Sequence, residues 1–531
     1  MSKARNLATL LSSDGSVKTT KYADSVGGQS TFVASGALPN GKPAFLNSDG
    51  TVSVVGLTAS DVTLTFDWIK GSYTILSNLG SVGILDCDFN PSVANQFIVV
   101  YGDANNSGYT TVVVGTVSGT TITFGTPVVL VSANTTSAMI KFNPNRSDQV
   151  LVFYQDDGDS YKRKVIAGTI SGTTPSFPYS SIDVTTSHGV TGYRNCMEFD
   201  PFTADKFLVF YQNNNQGPIE VRVCSVNSGG TITLGTAVLA GSSSGTASYF
   251  QISLDKNTAN QFLITWRDTA TSGSARAGTI SGTTCTFGTT AIWDSANPYY
   301  IVVASEKGRA GKFLVASYDQ PNAGRTQLRV LTVTGTTVTA GTPTNIGHSG
   351  KAFMLSGVHN DPNAAGKFIF TGMLGGGAPY AHQAYIANVS SGDVVTVAGP
   401  YDMSDGGRGD AFTGAICFDP DNGGKVIFGS GNSPTQGTGT KFAVSQLGGV
   451  YQEYVTNLTA TNFIGISNAA YADTATATLN LQGGTATNLS GLIAGNTYYV
   501  QTDGTLGASA GNPSVEVGKA LSSTSILLKG I

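Results

Sequence analysis

Two pairs of carboxylate residues are the first candidates for acid–base chemistry. Asp86 and Asp88 lie two residues apart in GILDCDF, and Glu198 and Asp200 do so in CMEFD. Residues i and i+2 of a strand face the same side, and a glycoside hydrolase needs two carboxylates that face one cleft. A glycoside hydrolase or lyase acting on host polysaccharide is therefore the alternative function, although solvated channel or turn positions are the commoner role of such pairs.

Other catalytic and metal-binding patterns are missing from the sequence. The four histidines do not form an HExxH motif. The acidic run DDGDS holds Asp156, Asp157 and Asp159, but it lacks the spacing of a calcium loop and is more typical of a polar hairpin tip. We therefore predict no catalytic residues, no metal and no cofactor, and we expect that the chain is not an enzyme.

The best binding candidates are aromatic and amide residues in variable loops. Aromatic rings stack on sugar faces, and short polar groups bond to sugar hydroxyls. The same aromatic residues could instead fill gaps between sheets. The predicted ligand-binding residues are Trp293, Asp294, Asn297, Tyr299 and Tyr300 in IWDSANPYY, Asp156 and Asp157 in DDGDS, and Asn213 and Asn214 in NNNQGP.

These loops belong to a unit that the sequence repeats seven times, with a spacing of about 55 residues. A second apolar position, inside GTVSGTT and its variants, keeps the same phase from Val117 to Val444. The first large apolar residue of the run QFIVVY is the anchor of each copy: Phe97, Val150, Phe207, Phe262, Phe313, Phe368 and Val426.

Each repeat reads as four strands. The second copy contains SAMIKF, QVLVFYQ, KVIAGTI and a fourth run through Phe177–Val184. Asn-Pro or Asp-Pro turns separate the first two runs in most copies, and Ser-Gly-Thr-Thr hairpins join the last two. Four-stranded antiparallel sheets must stack face to face to bury their apolar sides, and a radial arrangement of seven gives a β-propeller. A linear β-solenoid is the competing arrangement.

The ring can be closed by a strand from before the first copy. The seventh copy lacks a fourth run, whereas TLTFDWIKGSYTIL, from Thr63, aligns with TITFGTPVVL, from Thr121. We therefore predict that residues 62–76 form the outer strand of the last blade. The predicted domains are an N-terminal segment (1–60), the propeller (61–455) and a small C-terminal β module (456–531).

The composition of the chain indicates which partners the protein can have and in which compartment it is made. Charged residues make up 12% of the chain and the net charge is −4, which gives no basic surface for nucleic acid. No apolar stretch approaches the roughly 18 residues of a membrane span, and residues 1–16 do not resemble a secretory signal. The five cysteines form no CxxC pair, and we expect buried free thiols in a protein made in a reducing cytoplasm.

Residues near both ends resemble a known family. ARNLATLLSSDGSV (Ala4–Val17) resembles the start of tail-fibre and related virion proteins of tailed bacteriophages, where that end attaches to the particle. The C-terminal part is similar to a recurring segment of phage fibre proteins, and the similar positions are Phe463, Gly465, Ile466, Gly491, Leu492, Gly495, Tyr498, Tyr499, Val500, Gly504 and the run VGKALSSTSILL.

This resemblance implies a structural virion protein, a tail fibre or similar appendage, made in the host cytoplasm. Residues 1–60 would contact other virion proteins and, too short and glycine-rich for a core of their own, would be ordered by such partners or by identical copies. Fibre proteins are commonly trimers, so we expect a homotrimer. Host-surface glycan binding through the propeller is the function expected, with no nucleic-acid partner and no membrane insertion.

Overall fold

The structure is a computed structural model of the 531-residue chain. It describes residues 28–77, 85–103, 106–133, 135, 137–185, 196–212, 218–241, 248–268, 272–319, 325–348, 351–375, 381–403, 414–430, 440–511 and 513–529. The regular elements in these ranges are β-strands, and none of the ranges contains a helix long and apolar enough to cross a membrane. Two compact units emerge: Thr63–Tyr451, and Met1–Val62 with Gln452–Ile531.

The N-terminal strands are β1 (Gln29–Val33), β2 (Pro43–Leu46), β3 (Val52–Val54), β4 (Leu57–Leu64) and β5 (Asp67–Ser77). The first repeat forms β6 (Leu85–Phe89), β7 (Gln96–Asp103), β8 (Tyr109–Ser118), β9 (Thr121–Phe124) and β10 (Val128–Val131). The second forms β11 (Ala138–Phe142), β12 (Gln149–Asp156), β13 (Lys162–Ser171), β14 (Thr174–Ser176) and β15 (Ile182–Asp183). The third forms β16 (Cys196–Phe199), β17 (Lys206–Gln212), β18 (Ile219–Val226), β19 (Ile232–Leu234) and β20 (Val238–Leu239).

The fourth repeat forms β21 (Ser248–Leu254), β22 (Gln261–Arg267), β23 (Gly273–Ser281), β24 (Thr284–Phe287) and β25 (Ala291–Asp294). The fifth forms β26 (Pro298–Ser305), β27 (Lys312–Asp319), β28 (Arg325–Thr334), β29 (Thr337–Ala340) and β30 (Thr344–Gly347). The sixth forms β31 (Phe353–Asn360), β32 (Lys367–Leu374), β33 (Ala381–Val389) and β34 (Val395–Asp402). The seventh forms β35 (Gly414–Phe418), β36 (Lys425–Ser430) and β37 (Thr440–Gln446).

The C-terminal strands follow the last repeat. They are β38 (Gly449–Thr456), β39 (Phe463–Ser467), β40 (Thr476–Leu481), β41 (Thr485–Ala486), β42 (Thr497–Val500), β43 (Leu506–Gly507), β44 (Val515–Ala520) and β45 (Ile526–Leu528). Strands β4 and β38 pair with each other as a two-stranded sheet.

Each repeat forms one antiparallel sheet whose strands follow chain order. The anchor residues occupy one register, because Phe97, Val150 and Phe262 pair with Gly115, Gly168 and Gly278 of the third strand. In the first five sheets the outer position is divided between two short strands that both pair with the third strand. The predicted blade of four antiparallel strands is confirmed, with this interruption of the outer strand as an addition.

The seven sheets of Thr63–Tyr451 close into a ring. Their inner strands β6, β11, β16, β21, β26, β31 and β35 contact one another in this order, and β35 also contacts β6. A separate apolar cluster fills each of the seven interfaces, including the one between the last and first sheets, where Phe442 and Ile427 meet Phe97 and Val99. An open stack of seven sheets would have six such interfaces, so the β-propeller is confirmed over the solenoid.

Strand β5 completes the seventh sheet by pairing with β37. This is the position expected for residues 62–76, although the strand runs from Asp67 to Ser77. Trp68 packs β5 against the sixth and seventh sheets. Its ring stacks on Phe428 with centroids 4.8 Å apart, and its indole N–H donates to the carbonyl of Asp402. The seventh blade is thus built from both ends of the repeat region.

The glycine opposite an aromatic anchor leaves space for its ring. A Cβ placed on Gly278 would overlap the ring of Phe262. Gly278→Ala is therefore expected to lower the free energy of unfolding by about 1–3 kcal/mol, measured by urea denaturation. The loss of unfolding free energy should be smaller when Phe262 is replaced by leucine. Gly347→Ala is the control, because a Cβ at Gly347 meets nothing within 4 Å. An equal loss in both backgrounds would contradict this packing argument.

The two ends of the chain fold together, which corrects the prediction of two separate flanking domains. One sheet has the order β1-β40-β39-β2-β3, so that two C-terminal strands lie between strands of residues 29–54. A second sheet, β41-β45-β44-β42-β43, contains only C-terminal strands. Residues 29–54 obtain their backbone partners from the same chain, so their order does not require another copy or another protein.

The positions of the C-terminal fibre resemblance lie in this unit. Phe463, Ile466, Tyr498 and Val500 are buried in one apolar cluster, so their spacing reflects a shared core. The resembling residues Ala4–Val17 lie outside the described residues.

Candidate functional site

A cluster of tyrosines lies where the fourth and fifth blades meet. The ring centroid of Tyr249 is 5.2 Å from that of Tyr299 and 4.8 Å from that of Tyr300. The ring centroid of Tyr318 lies 6.5 Å from that of Tyr300. Tyr299 and Tyr300 are half-buried over the apolar core between the two sheets, so each keeps part of its ring accessible. We name Tyr249, Tyr299 and Tyr300 the tyrosine cluster.

β-bulges aim the side chains of the cluster. The pairing of β21 with β22 shifts between Ser248 and Gln251, and that of β26 with β27 shifts between Tyr299 and Val302. Tyr249 and Tyr300 have φ angles of 57° and 50°. A left-handed tyrosine costs about 1–3 kcal/mol, and such residues concentrate at ligand-binding sites. Bulges likewise redirect side chains next to such sites.

Polar groups support the cluster from one side. The guanidinium carbon of Arg267 lies 4.1 Å from the ring centroid of Tyr299, and its Nε donates to Oδ1 of Asn297 at 2.8 Å. Asn297 also has a positive φ, 51°. A stacked cation fixes the Tyr299 ring. The cluster therefore presents held aromatic surfaces beside amide and guanidinium groups.

Two of the five residues predicted in this loop do not belong to the accessible surface. Trp293 is 3% exposed, and its indole N–H donates to the carbonyl of Ser274 at 3.1 Å. Asp294 is 4% exposed and accepts the backbone N–H of Ala296 at 2.9 Å. Burial raises the pKa of Asp294. Their roles as ligand-binding residues are corrected to gap filling for Trp293, which packs in the apolar cluster between the sheets, and to turn capping for Asp294.

The predicted acidic hairpin lies on the second blade, away from this cluster. Asp156 forms a 3.0 Å ion pair with Lys164, and Lys164 also contacts Asp159 at 2.7 Å. Asp157 accepts the side-chain N–H of Gln155 at 3.3 Å. The described residues contain no group of three side chains suited to a metal ion. Asn213 and Asn214 lie outside the described residues.

The residues that sequence reasoning missed are Tyr249 and Arg267. Tyr249 precedes the anchor Phe262 by the same interval that separates Tyr300 from the anchor Phe313. Comparison of equivalent positions in neighbouring repeats could have paired the two tyrosines. The sequence gives no such signal for Arg267, because Arg267 belongs to the fourth repeat and its partner Tyr299 to the fifth.

The central channel forms a second feature, a cavity of about 510 Å³ lined by all seven inner strands and the turns that follow them. Asp88, Lys141, Glu198 and His359 occupy one register position of these strands and line it. Burial raises the pKa of Asp88 to about 6 and lowers that of His359 to about 3. The channel therefore contains charged groups in a low-dielectric setting.

The carboxylates proposed for hydrolysis link neighbouring blades. Asp86 and Asp88 accept the backbone N–H groups of Ile140 and Phe142 at 2.9 and 2.8 Å. Glu198 accepts the N–H of Leu254 at 2.8 Å. Asp200, in turn, is 1% exposed and caps the turn at Phe202. These contacts give Asp86, Asp88 and Glu198 structural roles between blades.

The Asp88 carboxyl gives a pH dependence of stability. Because its folded pKa of about 6 exceeds the ordinary 3.8, the folded state binds more protons between these values, and stability rises as pH falls through this window. From pH 7.5 to 5, the free energy of unfolding should rise by about 1 kcal/mol relative to that of Asp88→Asn. Urea titrations at both pH values measure this, with the exposed Asp148→Asn as control. A pH-independent difference would contradict it.

Comparisons with known proteins agree with the fold. No protein-family model and no curated protein matches the sequence. Among solved structures, BP39L lectin from Burkholderia pseudomallei superposes with a TM-score of 0.52 at 12% identity, over 73% of this chain and 98% of the lectin. Sqt1 of Saccharomyces cerevisiae gives 0.42 at 12% identity, over 72% and 99%. The lectin of Aleuria aurantia gives 0.37 at 13% identity, over 61% and 97%. At 12% identity and a TM-score of 0.52, the likeness to BP39L lectin shows a shared fold alone.

Proposed function

We propose that the chain is a non-catalytic component of a bacteriophage appendage, a tail fibre or similar structure, that binds a bacterial surface glycan through its propeller. The observation that carries the glycan-binding part is the tyrosine cluster, in which two bulged tyrosines and Tyr299 converge beside Arg267 and Asn297. This arrangement suits a sugar, whose apolar face stacks on an aromatic ring while its hydroxyls bond to neighbouring polar groups.

The shared fold of BP39L lectin supports this proposal, because a propeller of similar structure is a lectin. The cost of holding Tyr249 and Tyr300 at positive φ gives a second reason. Packing alone could be achieved by unstrained side chains, whereas a ligand platform requires rings in a set orientation. The engagement of Asp86, Asp88 and Glu198 between blades supports binding without hydrolysis.

Glycan binding is tested on immobilised lipopolysaccharides and capsular polysaccharides from a panel of bacteria by surface plasmon resonance. We expect at least one polysaccharide to bind, and Tyr299→Ala to weaken its binding about tenfold. Tyr161→Ala, at an exposed tyrosine of the second blade, should bind as the unmodified protein does. Unchanged binding by a correctly folded Tyr299→Ala variant, or no binding to any panel member, would reject the site.

The same polysaccharides test the absence of hydrolysis. No reducing sugar should appear during prolonged incubation of the bound polysaccharide with the protein. Release of sugar that Glu198→Gln abolishes would instead establish the hydrolase alternative.

The virion part of the proposal rests on the resemblance near residues 463–528 and at Ala4–Val17. Residues 1–60 would contact other virion proteins, and three chains would form one fibre. Immunogold electron microscopy of the particle and light scattering of the purified protein measure location and chain number. Particles without label that keep normal adsorption when the gene is deleted would reject the virion role, and a monomer would reject the trimer.

A further inference from the structure

One channel-lining position, in the turn after the inner strand of each blade, is proline in five blades and lysine in the other two. In five blades an Asn-Pro or Asp-Pro pair follows the inner strand, and the proline lines the channel. In the fourth and fifth blades the equivalent residues are Lys256 and Lys307, which also line it. Blades four and five are neighbours, so the two lysines share one side of the channel end. The five equivalent prolines are Pro91, Pro144, Pro201, Pro362 and Pro420.

These two ammonium groups form no close ion pair within the described residues. Lys141, deeper in the channel, pairs with Asp86 at 3.5 Å and Asp88 at 4.0 Å. In the described parts of the chain, which include all seven of these turns, no carboxylate lies within 4.0 Å of the Nζ of Lys256 or Lys307 and neither Nζ has a hydrogen-bond partner. Lys256 is partly buried, so its ammonium group without a close partner is unfavourable, and this cost is reduced when an anion binds; Lys307 is exposed and adds a second positive charge beside it.

The neighbouring groups restrict the position of a negative charge. Glu198 and Asp88 lie further along the channel and interact electrostatically with Lys256. Their negative charges disfavour an anion at their own position in the channel. His359 lines the same cavity, and its low pKa keeps the imidazole neutral, with one N–H able to donate. An anionic group is therefore favoured at the lysine end, with uncharged polar parts of the molecule extending inward.

We propose that Lys256 and Lys307 form a binding site for the phosphate or carboxylate group of a small molecule at this end of the channel. The cavity of about 510 Å³ lies within the roughly 300–1,000 Å³ of small-molecule pockets. The site is separate from the tyrosine cluster, because Tyr249 and Tyr299 are the second residues of β21 and β26, whereas Lys256 and Lys307 lie two residues beyond the ends of these strands. It does not depend on the proposed glycan function.

Isothermal titration calorimetry of the full chain with inorganic phosphate, glucuronate and glucose tests the site. We expect phosphate or glucuronate to bind and glucose to bind more weakly; the tighter of the two anions identifies the source of the charged group. Lys256→Gln with Lys307→Gln should weaken anion binding about tenfold or more. Lys307→Gln alone, at an exposed residue, should weaken it in the same direction without affecting folding.

The matched control is Lys351→Gln, which removes an exposed lysine after the fifth blade and should leave binding unchanged. Three results would overturn the proposal: no binding of either anion, equal binding of glucose and the anions, or full anion binding by the folded double variant.

Discussion

Replacing Trp68 by alanine is expected to lower the free energy of unfolding of the propeller by about 3–5 kcal/mol. Trp68 is 8% exposed, and its ring is stacked between Phe428 of the seventh sheet and Tyr401 of the sixth, at 4.8 and 5.4 Å. Alanine would leave a cavity at the interface of these two blades and would remove the bond from the indole N–H to Asp402. Strand β5 would keep its backbone pairing with β37 and the packing of Tyr73 on Phe428, but it would lose its largest buried side chain.

Urea denaturation followed by tyrosine and tryptophan fluorescence measures this loss. Phe202→Ala is the matched control, because it truncates an aromatic side chain that is 49% exposed, and it should change stability by less than about 0.5 kcal/mol. Trp68→Phe should lose less than Trp68→Ala, since a smaller ring still fills part of the space. A Trp68→Ala variant as stable as the control would mean that β5 does not close the ring in solution.

The strand that contains Trp68 also illustrates what the sequence could predict. The alignment of TLTFDWIKGSYTIL with TITFGTPVVL placed it in the seventh blade, because that repeat lacked an outer strand and a ring leaves no other free edge. The inner two strands of each blade follow equally directly, since the anchors Phe97 and Val426 pair with Phe89 and Phe418 at the same position of the inner strand. The same pattern of strands is observed in seven repeats, so a prediction made from one repeat can be checked against the other six.

The sites were less predictable for a physical reason. Alternation along a strand assigns side chains to faces only while pairing is regular, and the bulges at Tyr249 and Tyr300 interrupt it. The sequence thus identified Tyr299 and Tyr300 as candidates but could not separate them from Trp293, which faces the interface between the sheets. Lys256 and Lys307 stand out only when each repeat is compared at the turn position that proline usually occupies.

The pairing of the two chain ends was not predictable from the pattern. Gln29 pairs with Asn480 and Pro43 with Ile466, and these residues belong to no repeat. Short strands with weak alternation leave many possible partners, so register is specified only by the assembled core. Ala34, Ala44 and Val52 become buried because Ile464 and Leu479 cover them.

Mild oxidation of the purified protein with diamide is expected to join Cys87 to Cys417. Two thiols lose their hydrogens to diamide, which is reduced to its hydrazine, and one disulfide bond forms. The two sulfurs are 2.8 Å apart and buried, on the inner strands of the first and seventh blades, so a bond of about 2.05 Å requires only a small movement. The cross-link would span 330 residues of sequence. For a loop of that length, chain entropy predicts a gain in the free energy of unfolding of more than about 4 kcal/mol.

Peptide mapping without reductant identifies the linked peptides, and urea denaturation with and without reductant measures the gain. Cys87→Ser and Cys417→Ser should each abolish the link and the gain, whereas Cys285→Ser, at a buried thiol of the fourth blade, should preserve both. Sheets stacked in an open rod would place the first and seventh blades at opposite ends, where these sulfurs could not meet. The cross-link therefore tests ring closure directly, because it joins the inner strands of the first and seventh blades.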